Sequence, residues 1–558
     1  MLSGNELFAD STKFKLIKED PTITRLSTLR HYINTIHKRG EIDDSQKKLM
    51  MQVSAQVGRA PGLPKMHKEY ESLPSFRPIV DTTNTPHSGV GKYLAEFLKP
   101  LTLNQYSVKD SFEAADRINN IPRDLLDRGY SFVSFDVVSL FSNVPLNKTI
   151  DIILDRIFRQ NLLNTTLKKR TLKKLLIDTC TKTTFTFNGC LYEQTDGVSM
   201  GSSLGPVLAN VLMTEFENVI INDLVNNNTL PFYIRYVDDT LVLIKPEDID
   251  KVLRIFNGFI PGIKFTHDPF PDGNIHFLDL SINNITLETD IYYKPTHTGQ
   301  YTDYSSFTPW RIKISWIRAL FHRCKRICSN DFLFQNQIRK ITDFMSWNGY
   351  SRSTRTSIMK RLSSTTPREN NDDSNEKKIW IRLPYMGSRG EWLTKSLMRK
   401  LQRCFKSTVK FVVLYDTRKI SSYCSTKDKI PTQQLSNVIY QVTCPGCGSK
   451  YIGKTERCFK IRMDEHGTRD YEPMNKHLHE CPRFNEFCAF FRTCDPYKFN
   501  KNQHVHNAVL NNCKIIHRHN NNNKNNTVLE FLEAYYIKLH KPSINFGIRA
   551  SKELVLFK

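Results

Sequence analysis

The sequence predicts an α+β protein of several domains, with an antiparallel sheet in its first half and a smaller α/β unit near its C-terminus. Two hairpin signals predict the sheet. TFTFNGCLYEQ alternates on both sides of Asn188-Gly189, and FYIRYVDDTLVLIK turns at Val237-Asp238-Asp239 between apolar runs. A polar, aperiodic stretch at 363–378, SSTTPRENNDDSNEKK, reads as a linker, and a new strand pattern begins at 436.

In chain order, residues 1–125 mix helical patterns with a Pro- and Lys-bearing stretch, GLPKMHKEYESLPSFRPIVD. Residues 126–300 are mixed α/β. There SFVSFDVVSLF reads as a strand ending at Asp136, and 149–178 reads as helix. Residues 301–362 are helical. Ile314, Ile317, Phe321, Cys324 and Cys328 recur at three- and four-residue steps. Arg311, Arg318, His322, Lys325 and Arg326 fall mostly elsewhere on that helix, as a solvated basic face or as one that tracks a nucleic-acid duplex. The 363–435 segment is linker and connector, and 436–550 is the second α/β unit, interrupted by an Asn-rich surface loop at 519–526. There is no internal repeat.

Lys and Arg number 80 against 56 acids, a formal charge of +24 that attracts polyanions. No apolar run approaches a membrane span, and MLSGNELFADSTKFK lacks the apolar core of a secretory signal. The 13 cysteines are odd in number and mostly scattered, which fits a reducing compartment.

One cysteine group has metal-ligand spacing. Cys444 and Cys447 form a CxxC knuckle, and His477 and Cys481 form an HxxxC pair, a set suited to tetrahedral structural zinc. His479 is an alternative fourth ligand.

Phosphoryl transfer onto a growing strand uses two divalent cations. Magnesium takes carboxylate oxygens, so two or three acids must converge. A strand ending at Asp136 beside a hairpin turning at Asp238-Asp239 would do this, and repulsion among the acids would be relieved by metal. In order and spacing, SFDVVSLFSNVP, GVSMGSSLGPVLANVLM and YVDD resemble the palm motifs of reverse transcriptases over roughly residues 60–300. The resemblance implies a right-hand polymerase of fingers, palm and helical thumb. By it, Phe141 blocks a ribose 2′-hydroxyl, Met200, Gly201 and Pro206 lie beside the incoming base and template, and Lys65 and Arg77 in PKMHK and FRPIV grip the triphosphate. HFLDLSI resembles the short hairpin that supports the primer.

Val438-Ile439-Tyr440, Tyr451-Ile452-Gly453, Arg462, His466 and a late TVLEFLEAYYIKLHKPSINF resemble the GIY-YIG nuclease domain, with Val for the first Gly. Arg462 and His466 are one helical turn apart, on one face. By the resemblance, Glu533 holds a single divalent metal, Arg462 stabilises the phosphorane, and Tyr440 and Tyr451, with His466, position or deprotonate the water. Lys454 could help hold the phosphate. Glu533 is chosen over Glu530 by its register with Leu532, Ile537, Pro542 and Asn545.

Together these features resemble a Penelope-like retroelement protein. The resemblance implies an RNA-directed DNA polymerase coupled to a DNA-nicking endonuclease. Its substrates would be an RNA template, a DNA target and primer, and deoxynucleoside triphosphates, and its work nuclear after cytoplasmic synthesis and RNA binding. Relatives often carry more sequence before the fingers, so truncation of this N-terminus is expected. Two other classes remain open: a host-recruited nucleic-acid binder without catalysis, and an RNA-templated RNA polymerase.

Overall fold

The computed structural model describes residues 8, 10–64, 76–77, 79–267, 273–364, 377–404, 409–417, 427–494, 499–519 and 527–545. Lys65 lies outside them, as do residues 365–376 of the expected linker and 520–526 of the Asn-rich tract. The chain divides into two compact units. One combines Met1–Leu101, Val144–Leu208 and Thr426–Lys558, and the other Thr102–Asn143 and Ala209–Ser425.

In the first unit, helix Thr22–Lys38 buries Leu26, Leu29, Ile33 and Ile36 at helical spacing. A four-stranded sheet orders Phe14–Leu16, Cys190–Gln194, Thr183–Phe187 and Gly58–Arg59 side by side. Its hairpin turns at Asn188 and Gly189, with φ of 50° and 77°, as a two-residue turn requires. The single helix expected over 149–178 is instead two, Leu146–Phe158 and Lys169–Thr181. Asn161 takes φ 55°, and the Leu162 N–H donates back to the Arg156 carbonyl at 3.0 Å, closing the first helix. The apolar spacing runs through the break because the two helices pack on one another.

The late α/β module belongs to this same unit. Its three-stranded antiparallel sheet has Val438–Thr443 between Lys450–Thr455 and Cys513–Arg518. Tyr440, Val442, Met463, Leu478, Val505 and Val509 form its core. Helix Thr527–His540 lies against the Lys450–Thr455 strand, where Leu529, Leu532 and Ile537 meet Ile439 and Ile452. The module docks on the N-terminal segment. Buried Gln434 accepts the Val57 N–H at 2.7 Å, the Cys458 thiol donates to the Ala55 carbonyl at 3.2 Å, and Lys427 pairs with Asp81 at 2.7 Å.

The second unit is built on an antiparallel sheet in the order Phe265–His267, Ser131–Val137, Asp239–Ile244, Phe232–Tyr236. Phe132, Ile234, Leu241 and Leu243 face a core shared with helix Ser111–Asn119, the Asn274–Phe277 and Leu280–Asn283 hairpin, and helices Trp310–Ile327 and Asp331–Trp347. Helix Arg352–Ser363 follows. A β-α-β segment ends the unit: strands Lys377–Pro384 and Val409–Asp416 run parallel, joined by helix Gly387–Cys404. Among the described residues no helix is long and apolar enough to cross a membrane.

Candidate active sites

The acidic cluster follows from strand register in the second unit. Asp136 is the antiparallel partner of Asp239, and Tyr236 pairs with Asp239 across a two-residue turn, Val237-Asp238. Directly opposed side chains have Cβ atoms about 4.5–5.5 Å apart. Asp136 is exposed, and Asp238 and Asp239 are half-buried. Asp136 and Asp239, with Asp238 in the adjoining turn, supply the carboxylate oxygens that magnesium takes.

Val237 takes φ 58°, a conformation unfavourable for a β-branched residue. Arg235, wholly buried in the strand before it, holds the turn. Its Nη1 donates to the Val237 carbonyl at 3.0 Å and to Asn210 Oδ1 at 2.8 Å, and its Nη2 donates to Ser107 Oγ at 3.2 Å. Glu217, with no exposed side-chain surface, takes Nε at 2.5 Å and Nη2 at 3.1 Å. Burial disfavours the Arg235 charge, but Glu217 outweighs it and holds the guanidinium above its ordinary value. A π-helical turn, Glu217–Ile221, follows helix Gly205–Phe216 and begins at this glutamate. None of this support was anticipated. A lone Arg within the apolar run FYIRYV was the available signal.

Phe141 is half-buried in the short helix Leu140–Asn143, after the Asp136 strand. Arg77, Met200 and Gly201 fall in the first unit. Arg77 is exposed and pairs with Leu63. The Met200 carbonyl accepts the Val80 N–H at 2.8 Å. Gly201 sits at φ 103° with the Val80 carbonyl oxygen 2.4 Å from where a Cβ would stand, so no side chain fits there. Pro206 is the second residue of its helix, where a missing N–H costs nothing.

The second cluster is in the late module. Tyr440 stands opposite Gly453 on the central strands. A Cβ on Gly453 would lie 2.7 Å from the Tyr440 hydroxyl, so this glycine makes room for the phenol. Asn545 clamps the same strand, accepting the Ile452 N–H and donating to the Ile452 carbonyl, each at 2.8 Å. On helix Phe459–Thr468, Arg462 Nε donates to the Tyr440 hydroxyl at 3.0 Å, and His466 Nε2 lies 2.7 Å from that oxygen. The phenol oxygen therefore accepts from Arg462 and is also hydrogen-bonded with the His466 ring. Tyr451 is also buried, beside the Arg462 charge.

Burial pushes both phenols up, so both are neutral near pH 7 and can orient a water but not deprotonate it as phenolates. Burial, with the Arg462 charge, pushes His466 down to about 3. Glu533 is raised by burial, against the pull of Lys454. Lys454 Nζ lies 3.2 Å from Glu530 and 4.0 Å from Glu533.

Glu472 is the residue the motif did not reveal. Its carboxylate takes Arg462 Nη1 at 2.6 Å and Nη2 at 3.0 Å in a bidentate fork. It lies after the helix that carries Arg462, and no motif spacing marked it.

The His466 shift has a testable consequence. A histidine neutral when folded contributes stability above its unfolded pKa of about 6.5. That stability is lost as the pH falls toward the folded value of about 3. Going from about pH 7.5 to about pH 5 should cost this module about 2 kcal/mol through this group. Amide exchange along Phe459–Thr468 in the full chain should accelerate accordingly. His466→Gln should weaken that acceleration, and an identical pH response would contradict the assignment.

Cys444, Cys447, His477 and Cys481 bring four ligand atoms within 4.8 Å of one another. Cys444 Sγ and Cys481 Sγ are 3.8 Å apart, and Cys447 Sγ and His477 Nε2 are 3.2 Å apart. Zinc–sulfur bonds of about 2.3 Å give tetrahedral edges of about 3.8 Å, so the donor set fits. His479 is not in the group.

Residues 67–265 match the reverse transcriptase (RNA-dependent DNA polymerase) family. The chain carries a reverse transcriptase domain. The Asp136 strand and the Val237-Asp238 turn lie inside that reverse transcriptase domain. Residues 300–360, which include helices Trp310–Ile327 and Asp331–Trp347, match an animal helix-turn-helix domain. No curated protein matches the chain.

Solved structures similar to this one include telomerase from Candida albicans with a fragment of telomeric RNA, at 14% identity and TM-score 0.38, covering 60% of this chain and 61% of that one. Apo telomerase from Candida tropicalis gives 14% and 0.35, with 60% and 65% covered. A Sicinivirus RNA-dependent RNA polymerase gives 13% and 0.28, with 51% and 62% covered. The chain spans about three fifths of the length of the first of these structures.

Proposed function

We propose that this chain is a Penelope-like retroelement protein, an RNA-directed DNA polymerase joined to a GIY-YIG endonuclease that nicks DNA. The observation that carries the polymerase half is the register that sets Asp136 across from Asp239 beside the Asp238 turn, within a reverse transcriptase domain.

Two magnesium ions held by Asp136, Asp238 and Asp239 would stabilise the charge that develops on the transferred phosphoryl group. The protein supplies the rest. Arg235 and Glu217 hold the turn rigid; by the resemblance, Lys65 and Arg77 would bind the triphosphate, and Met200 and Gly201 would line the base. Phe141 excludes a ribose 2′-hydroxyl. Arg311, Ser315, Arg318 and His322 line a shallow groove on helix Trp310–Ile327, suited to the phosphates of the product duplex.

In the nuclease half, Glu533 would hold one divalent metal. Tyr440 and Tyr451 orient the attacking water, and His466 holds Tyr440 through their shared hydrogen bond. Arg462 binds the scissile phosphate, which must take the place of the Glu472 carboxylate in the arginine fork. Lys454 neutralises the paired glutamates. Zinc at Cys444, Cys447, His477 and Cys481 would contribute folding energy only, since all four ligands are protein side chains.

Nicking releases a 3′-hydroxyl that the polymerase extends along element RNA, so the partners are an RNA template, target DNA and deoxynucleotides, and the place of work is the nucleus. The test is the purified full chain on intact and pre-nicked DNA, with RNA template, magnesium and either deoxy- or ribonucleotides. Asp238→Asn should abolish extension and leave nicking, and Glu533→Ala should do the reverse on intact DNA. Preference for ribonucleotides would point to an RNA polymerase, and absence of both activities to a binding protein. Chelation should speed amide exchange across 436–519, and unchanged exchange would remove the structural zinc.

A further inference from the structure

The β-α-β segment Lys377–Asp416 has no role in the function proposed above. Among the described residues its two parallel strands pair only with each other. Parallel sheets are ordinarily covered on both faces, and among the described residues this one is covered on one. Ile381, Leu383, Phe411, Val413 and Tyr415 are half-buried, and helix Gly387–Cys404 packs against the second strand. The opposite face presents Lys378, Trp380 and Arg382 from one strand, in register with Lys410, Val412 and Leu414 of the other, and at its end Asp416 pairs with Arg382 at 3.4 Å.

That face combines two chemistries. Trp380 is 59% exposed, with a cation two residues away on each side. Lys378 and Lys410 are direct cross-strand neighbours, which sets two cationic side chains side by side on this face. The segment 377–416 as a whole has ten Lys and Arg against two acids, Glu391 and Asp416. A protein partner of ordinary composition would not suit such a surface, and a duplex keeps its base faces stacked out of reach. A strand of unpaired nucleotides offers a flat base beside regularly spaced phosphates.

We propose that this face is a platform for single-stranded nucleic acid, on which Trp380 stacks against a base while Lys378 and Lys410 take the flanking phosphates. The face shares no residue with either catalytic cluster, and its binding does not depend on their activity. RNA and DNA share this chemistry, and the two arms of the test identify which is held.

The full chain, without nucleotides, is bound to thio-substituted single-stranded RNA or DNA, crosslinked by light and mapped by mass spectrometry, with affinity followed against salt. A crosslink within Lys377–Pro384 is expected. Trp380→Ala should remove it and weaken binding about tenfold, whereas Trp380→Phe, which keeps a ring, should retain both. The double variant Lys378→Ala/Lys410→Ala should reduce the slope of log affinity against log salt by about 1.4. Crosslinks confined to other segments, unchanged affinity in Trp380→Ala, or loss in Trp380→Phe as well would each overturn the proposal. So would equal competition by duplex, or capture of anionic lipid vesicles with no effect of added oligonucleotide.

Discussion

Asp136→Asn should lower primer extension by about a thousandfold or more while leaving the magnesium-free protein as stable as before, or more so. The two effects have one cause. Asp136 and Asp239 are direct partners across antiparallel strands, where like charges cost about 0.2–1 kcal/mol. Amidation removes that repulsion and, with it, a donor for cations that stabilise the transition state by several kcal/mol, about tenfold in rate for each 1.4 kcal/mol. The measurements are extension with RNA template and melting curves with and without magnesium. Wild type should gain melting temperature on adding magnesium, and the variant should gain much less. Retained extension would remove Asp136 from the site, and a fall in metal-free stability would show that the carboxylate is structural.

The second large effect is expected at Arg235. Arg235→Met leaves Glu217 charged, buried and without its counter-ion, a loss of about 3–5 kcal/mol. It also frees the Val237 carbonyl, so a turn at φ 58° loses its anchor and extension should fall along with stability. The double variant Arg235→Met/Glu217→Leu should recover most of the stability, because no charge is then stranded, but little of the activity, because the turn remains unheld. Denaturant unfolding followed alongside extension separates the two outcomes. A double variant no more stable than the single would mean that the pair's hydrogen bonds to Asn210 and Ser107, not charge balance, dominate.

What was legible in the sequence was what is local. The Asn188-Gly189 hairpin, the Asp136 strand and the Arg462–His466 face are each set by neighbouring residues, and each is present, while the hairpin expected to turn at Val237-Asp238-Asp239 turns at Val237-Asp238, with Asp239 opening the second strand. The CxxC and HxxxC pairs were also readable, because ligand spacing survives in the chain, and their atoms meet. The 149–178 helix misled because apolar period carries no mark of a helix stop. The Asn161 turn interrupts the backbone without interrupting the pattern of buried positions. Glu217 and Glu472 were not legible for a different reason. Each acts by a pairing fixed only on folding, Glu217 with Arg235 18 residues away and Glu472 with Arg462 10 away. An acidic residue in sequence does not announce which cation it will meet.

The first compact unit is assembled from three stretches of chain, the last of them Thr426–Lys558. A ribosome makes the Val57 amide and the Ala55 carbonyl more than 370 residues before it makes Gln434 and Cys458, the groups that satisfy them. The amino-terminal portion therefore waits, incomplete, through most of synthesis. A fragment ended near residue 425 would never receive that closing piece, so a polymerase cut free of its tail should be a worse-behaved protein than the whole.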